Sequence, residues 1–167
     1  MCIRDRFGSS RDVGTFKGIA RELLENVISQ QVGYYKYMLG DTAKNVYGEA
    51  TSRYYIGPVL INCLIERGEF NATRKESLGP DVNRDATFRF LKDHLQEANV
   101  VPEIGDVIMY NELYYEVDNV NQNQLILGKD PNYAYSDGLN EFGSSFSIIV
   151  TTHYTSGDKL GINQQRL

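Results

Sequence analysis

The sequence predicts a mainly β fold: a small antiparallel β-barrel or sandwich that carries one N-terminal amphipathic helix. Only one segment, near the N-terminus, repeats its apolar residues at helical spacing. Turn residues divide most of the remaining chain into short apolar or alternating runs, which is typical of strands. A chain of 167 residues has the size of one domain with a single core, so no second domain is expected.

The helix is predicted from Thr15 to Gln31. Thr15 is a favourable N-cap, and Gly33 is placed to end the helix. The apolar residues recur at steps of three and four: Phe16, Ile19, Ala20, Leu23, Leu24, Val27 and Ile28. We expect residues 1–14 to be a disordered arm, residues 15–156 to form the domain, and residues 157–167 to be a flexible tail.

Roughly six to eight strands are expected after the helix. Two of them, Val59 to Ile65 and Val107 to Tyr110, have apolar residues on both faces and therefore need cover on both sides. Residues 86–95 are predicted to be a strand, with a helical turn as the alternative. Residues 71–85 are expected to form an exposed hairpin loop. The polar segments 40–57 and 129–143 are candidate functional loops, because long loops often carry function.

The sequence offers little support for catalysis, and we expect neither an enzyme nor a cofactor or metal site. The two histidines, His94 and His153, lie in polar segments and are expected to be solvated rather than catalytic. Cys63 lies on an apolar strand face, which favours a small core residue over a nucleophile. The sequence shows no Gly-rich phosphate loop, nucleophile elbow or calcium loop, and no apolar run long enough to span a membrane.

The net charge of −5 argues against a protein dedicated to nucleic acid. One alternative stays open, a barrel that binds single-stranded nucleic acid by stacking bases on exposed aromatic residues. A small β-barrel hydrolase is a third alternative, and it would depend on His94 or His153. The chain has twelve tyrosines and no tryptophan, which suits either an interface or half-buried strand positions.

Several short motifs occur in a fixed order along the chain. They are Tyr34-Tyr35 after the helix, Tyr47-Gly48-Glu49 in the next loop, Gly105-Asp106 before a strand, and Tyr115-Glu116-Val117 on the strand that returns. In this order, over about residues 19–154, the chain resembles the neck proteins of T4-like contractile-tailed phages, which belong with the head-closure proteins. It departs from that family around Gln122, where a run of Asn and Gln replaces an aromatic-rich turn.

The resemblance implies a structural protein of the virion neck, at the head–tail junction, assembled in the host cytoplasm. Copies of a β-barrel subunit would form a closed homo-oligomeric ring of about six subunits. The ring would close the DNA exit after packaging and offer an attachment surface to the tail. The expected partners are further copies, the portal adaptor and the tail terminator. Packaged DNA would pass the lumen without sequence-specific contact, and no membrane is involved.

In such a ring, the strands that are apolar on both faces would pack one face against the core of the subunit and the other against a neighbouring subunit. The tyrosine-rich loops would contact the adaptor or the tail. The candidate interface residues are Tyr47, Glu49, Tyr54, Tyr55, Ile108, Tyr110, Tyr114, Tyr133 and Tyr135.

Overall fold

The computed structural model describes residues 10–47, 50–75, 79–125 and 145–162. The helical segments are α1 (Ser10–Glu22), a π-helical segment that continues it (Leu23–Ile28), α2 (Lys92–Glu97) and α3 (Gly157–Leu160). The strands are β1 (Gln31–Tyr37), β2 (Ala43–Lys44), β3 (Ala50–Ser52), β4 (Tyr55–Asn62), β5 (Leu64–Lys75), β6 (Gly79–Leu91), β7 (Val107–Tyr110), β8 (Leu113–Leu125) and β9 (Ser145–Thr155). The predicted class, mainly β with an N-terminal helix, is confirmed.

Seven of the strands form one antiparallel sheet in the order β4-β1-β7-β8-β9-β6-β5. The two end strands, β4 and β5, follow one another in the chain with only Cys63 between them. The sheet must therefore curl until its two ends meet at this residue, whose backbone N–H donates to the Gln30 carbonyl at 3.0 Å. No strand pairing joins β4 to β5 along the described lengths of these two strands, so the sheet is barrel-like but not closed.

One core fills the inside of the curled sheet. It combines residues from both ends of the strand order with one residue of α2: Val32, Tyr34, Ile61, Cys63, Ala86, Phe88, Phe90, Leu95, Ile108, Tyr115, Val117, Ile148 and Val150. Phe88 packs edge-on against Tyr115, with ring centroids 5.7 Å apart. The prediction that Cys63 is a core residue is confirmed, and burial raises the pKa of its thiol to about 12.

A second, smaller cluster covers the outer face of β7. Val107 and Met109 pack there with Tyr35, Tyr114 and Leu160, the last of these from α3. Both faces of β7 are thus sealed by the chain itself, and the prediction that a neighbouring subunit covers one of them is wrong. The flexible tail expected from residue 157 instead begins with α3. Leu160 is a single buried leucine in a segment without periodicity, so a periodic pattern could not predict that this segment packs on β7.

Three element boundaries also differ from the predictions. The helix already includes Ser10, so residues 10–14, which were expected to belong to a disordered arm, are helical. The predicted hairpin is confirmed, but residues 71–75 and 79–85 belong to its two strands rather than to a loop, since β5 and β6 remain paired as far as Lys75 and Gly79. The polar segment 40–57 contains the two-stranded sheet of β2 and β3. In the segment 86–95, the strand continues to Leu91 and α2 follows directly, so both alternatives hold in part.

Candidate interaction surface

Two of the predicted interface residues are core residues. Ile108 is fully buried in the main core, and Tyr114 is buried in the second cluster. Tyr114 lies under Gly157, where an added Cβ would come within 3.1 Å of the tyrosine ring. Because the chain itself covers both side chains, neither is available to a partner, and both assignments are corrected.

The other predicted interface residues lie at the surface or outside the described part of the chain. Tyr47 and Tyr54 are exposed, whereas Tyr55 and Tyr110 are half-buried. Tyr55 packs on Tyr37 with ring centroids 5.5 Å apart. Glu49, Tyr133 and Tyr135 fall outside the described residues. The structure does not bring the described tyrosines together into a single patch, since Tyr55 lies at the second cluster and Tyr110 at the main core.

Two of the motif residues behind the family resemblance, Tyr34 and Asp106, form a structural junction with Lys36, Tyr37 and Glu103. The carboxylate of Asp106 is 1% exposed, and its Oδ2 accepts hydrogen bonds from Tyr34 Oη (2.5 Å), Lys36 Nζ (3.1 Å) and the Glu103 N–H (2.9 Å). Its Oδ1 accepts a bond from the Tyr37 N–H at 2.9 Å. Burial, together with the adjacent charge of Asp106, raises the pKa of Tyr34 far above its ordinary value. The junction joins β1 to the loop before β7, so these residues explain the fold rather than an interface.

The helix is attached to the rest of the chain through polar side chains. Lys17 Nζ lies 3.2 Å from Asp93 Oδ1, and Arg21 forms a two-pronged pair with Glu97, at 2.7 and 3.0 Å. Arg21 Nε also donates to Glu25 Oε1 at 2.8 Å. The acidic partners Asp93 and Glu97 belong to α2. Lys17 and Arg21, which are four residues apart, therefore form a polar stripe that faces α2.

Glu25 continues this stripe and contacts His94. The Nε2 atom of His94 lies 3.0 Å from Glu25 Oε1, and the imidazole is buried. Partial loss of solvation raises the pKa of Glu25, but the hydrogen bonds and charges of Arg21 and His94 outweigh it and hold that pKa below its ordinary value. The prediction that His94 is solvated is wrong, because its cover comes from a helix far away in sequence. His153 is partly exposed, and its Nδ1 lies 2.7 Å from Asp118 Oδ1.

Part of the apolar side of the same helix faces solvent, although Leu24 is buried. Phe16, Ile19, Leu23 and Val27, here called the helix stripe, are 53%, 60%, 47% and 72% exposed. Fully burying such a side chain contributes about 1.5–3 kcal/mol, so covering these partly exposed ones would contribute roughly 3–7 kcal/mol. An amphipathic helix normally turns this side towards the core. Sequence periodicity found the stripe but could not show that ion pairs direct it outwards.

A groove lies on the outer face of the sheet where β4, β1 and β7 run side by side. Gly33 pairs with Leu60 of β4 on one side and with Met109 of β7 on the other. A depression of about 460 Å³ lies beside these residues, and polar Gln31 and Asn111 are among the residues that line it. We call it the Gly33 groove. Leu60 is 53% exposed, so the outer face of β4, unlike that of β7, lacks cover from the described chain.

The basic side chains are largely engaged in pairs within the described residues. The ion pairs, besides those of the helix, are Lys36 with Glu103 and Asp106, Arg53 with Glu116, and Arg89 with Glu66. Arg67 lies over the ring of Tyr110, at 5.3 Å from its centroid, and donates to its hydroxyl at 2.8 Å. It lines a depression of about 210 Å³ that also includes Asp85. These pairs weaken the positive potential that nucleic-acid binding requires.

Metal-binding clusters and membrane-spanning helices are both absent from the described part of the chain. No group of three or more His, Cys, Asp or Glu side chains there could hold a metal ion. None of its helices is long and apolar enough to cross a membrane. The buried thiol of Cys63 retains its proton at neutral pH, because its pKa is raised to about 12, and it is therefore a poor nucleophile.

The fold thus defines a curled antiparallel sheet with an outward-facing apolar helix. No family model matches the chain, and no curated protein matches its sequence. Among solved structures, the chain is similar to one from the "Virion of native gene transfer agent (GTA) particle", at 7% sequence identity and a TM-score of 0.45. The match covers 75% of this chain and 94% of that chain. A TM-score of this size describes a loose overlap of chain path, and nothing about function follows from it.

Proposed function

We propose that this chain is a structural protein of a phage virion, located in the neck between head and tail. The order of its sequence motifs supports the neck family. The observation that carries the proposal is the helix stripe, because a soluble monomer has no reason to turn its most apolar helix face towards water. A subunit that functions only inside an assembly explains that orientation, since a neighbour covers the stripe there.

In the proposed assembly, copies form a ring of about six subunits that closes the DNA exit and receives the tail. The portal adaptor and the tail terminator are the proposed partners above and below the ring. The exposed Tyr47 and Tyr54 are the described residues best placed to contact them, as amphipathic side chains enriched at interfaces. The net charge of −5 suits a lumen that lets DNA pass without holding it.

Negative-stain imaging of the purified protein, alone and with its portal adaptor, tests this function. We expect closed annuli with a central hole, either spontaneously or once the adaptor is added. Gold-labelled antibody against the chain should mark the head–tail junction of intact particles. A chain that stays a lone globule with the adaptor present, and that is absent from purified particles, would contradict the proposal.

The same preparation decides between this function and single-stranded nucleic-acid binding. A binding barrel would hold an oligonucleotide with an affinity that falls steeply as salt is raised. Because the basic residues described above are already engaged in pairs, they do not favour such an affinity. We therefore expect no salt-dependent binding of an oligonucleotide. Tight binding at low salt that disappears at high salt would replace the structural function by the alternative.

A further inference from the structure

Two arginines stand where the main core reaches one end of the curled sheet. Along β6, Phe88 and Ala86 face inwards and are buried, and the next position on that face holds Arg84. Arg67 of β5 pairs with Ala86 across the ladder, so these two side chains share the inner face as well. A charged residue in a row of core positions is typical of a functional site rather than of packing.

A depression of about 210 Å³ lies between these arginines and the tyrosines of the core end. Its lining includes Tyr110, Leu113 and Tyr115. Tyr115 is buried, and this burial raises the pKa of its hydroxyl, whereas the charges of Arg84 and Arg67 lower that pKa. Both guanidinium groups therefore act on one hydroxyl. We call this depression the arginine mouth.

Arg67 is held in place by an aromatic ring. Its guanidinium lies 5.3 Å from the centroid of the Tyr110 ring, and its Nη2 donates to the Tyr110 hydroxyl at 2.8 Å. This bond raises the pKa of Arg67, and no carboxylate of the described residues contributes to the shift. A β-bulge follows at Gly68, where an added Cβ would lie 2.9 Å from the Asp85 carbonyl oxygen, and bulges of this kind fix the direction of a side chain. Asp85 also lines the mouth, but the regular pairing of β6 with β9 assigns its side chain to the outer face, with His153.

We propose that the arginine mouth binds a carboxylate that is carried on an apolar stem. The planar guanidinium groups match the two oxygens of a carboxylate, and Leu113 with the tyrosine rings covers the stem. A chain with a net charge of −5 repels a phosphate dianion about twice as strongly as a carboxylate, which favours the carboxylate. A free small molecule and the glutamate side chain of another protein both carry this group. The inference goes beyond the proposed function and does not depend on it.

Butyrate is the probe, and butyramide, which has the same stem without the charge, is the matched ligand control. Binding is followed by amide NMR at Leu113, together with the urea midpoint of each variant. Arg67→Met and Arg84→Met each remove one guanidinium. Arg89→Met is the matched control, because Arg89 lies on the outer face of the same strand and pairs with Glu66 there. Arg67→Lys keeps the charge without the planar group, and it replaces a methionine variant that does not fold.

We expect saturable shifts with butyrate and none with butyramide. Arg67→Met and Arg84→Met should each weaken butyrate binding by about tenfold or more, since each loses charge-assisted hydrogen bonds. Arg89→Met should bind within about twofold of the wild type. A capped peptide with one glutamate then separates the two sources: if it displaces butyrate, the mouth takes the side chain of another protein, and if it does not, the mouth takes a free carboxylate.

Other outcomes overturn the inference. A wild type without saturable shifts would show that the two arginines only cover the end of the core with solvated charge. Equal weakening by Arg89→Met would show attraction by overall charge instead of a site. Tighter binding of inorganic phosphate than of butyrate would remove the carboxylate assignment. Butyrate binding by a protein absent from phage particles would keep the inference and remove the proposed function, so the two failures are distinguishable.

Discussion

Replacing Asp106 by Asn removes a buried negative charge and keeps the shape of the side chain. The carboxylate accepts three bonds at Oδ2, from Tyr34, Lys36 and Glu103, and one at Oδ1, from the Tyr37 N–H. An amide has one oxygen, which would stay at the Oδ2 position to keep three donors satisfied. The amide NH₂ group then faces the Tyr37 N–H, donor against donor.

The size of the effect follows from these contacts. A hydrogen bond to a charged group contributes about 1.5–3 kcal/mol, and a stranded donor costs a similar amount. Lys36 also loses its buried counter-charge but retains Glu103, at 2.9 Å. We therefore expect Asp106→Asn to lower the free energy of unfolding by about 2–4 kcal/mol. Asp106→Ala removes the acceptor of all four donors, of which Lys36 retains Glu103, and should cost about 3–5 kcal/mol.

Urea unfolding, followed by far-UV circular dichroism, measures these changes as shifts in midpoint at a constant slope. Tyr34→Phe is the matched control, because it removes one donor and leaves the carboxylate three others. Its expected cost is about 1–2 kcal/mol. The reasoning is refuted if Asp106→Asn unfolds within about 0.5 kcal/mol of the wild type, or if Tyr34→Phe costs more than Asp106→Asn.

The remaining predictions concern Cys63, Leu160 and the helix. Burial raises the pKa of the Cys63 thiol from 9.0 to about 12, so between these values the unfolded state loses a proton that the folded state keeps. As pH rises above 9, the free energy of unfolding should fall by up to about 1.4 kcal/mol per pH unit relative to that of Cys63→Ala. An equal dependence of the unfolding free energy on pH in both chains would contradict this. Leu160→Ala should lower the free energy of unfolding by about 2–5 kcal/mol, whereas a flexible tail would give no change in the same urea assay. Arg21→Met should speed amide exchange of residues 10–28 in the monomer and leave the urea midpoint of the whole chain nearly unchanged; exchange at the wild-type rate would show that Arg21 does not hold the helix.

Local periodicity predicted the elements well where both the pattern and its cause are local. The spacing of apolar residues found the helix, and the two apolar faces of β7 correctly indicated cover on both sides. The burial of Cys63 followed from its position on an apolar strand face.

The sequence could not identify which element supplies the cover. Met109 is covered by α3, whose single core residue Leu160 stands outside any repeating pattern. His94 is buried because Glu25 and the helix lie over it, a contact between residues far apart in the chain. The outward orientation of the helix stripe likewise depends on ion pairs with α2. The last two are long-range pairings of polar residues, for which hydrophobic periodicity gives no signal.

The energies of the two sides of the helix explain how such a chain would assemble. Exposed ion pairs contribute about 0–1 kcal/mol each, so the polar stripe holds α1 only weakly to its own body. Covering the helix stripe contributes roughly 3–7 kcal/mol, so a neighbour holds the helix more firmly than its own chain does. Association itself costs about 4–15 kcal/mol, so a contact made through the helix stripe alone would be weak. In the proposed closed ring, every copy would make two contacts while the last closure loses little further freedom. Weak pairwise contacts therefore favour complete rings over small open oligomers.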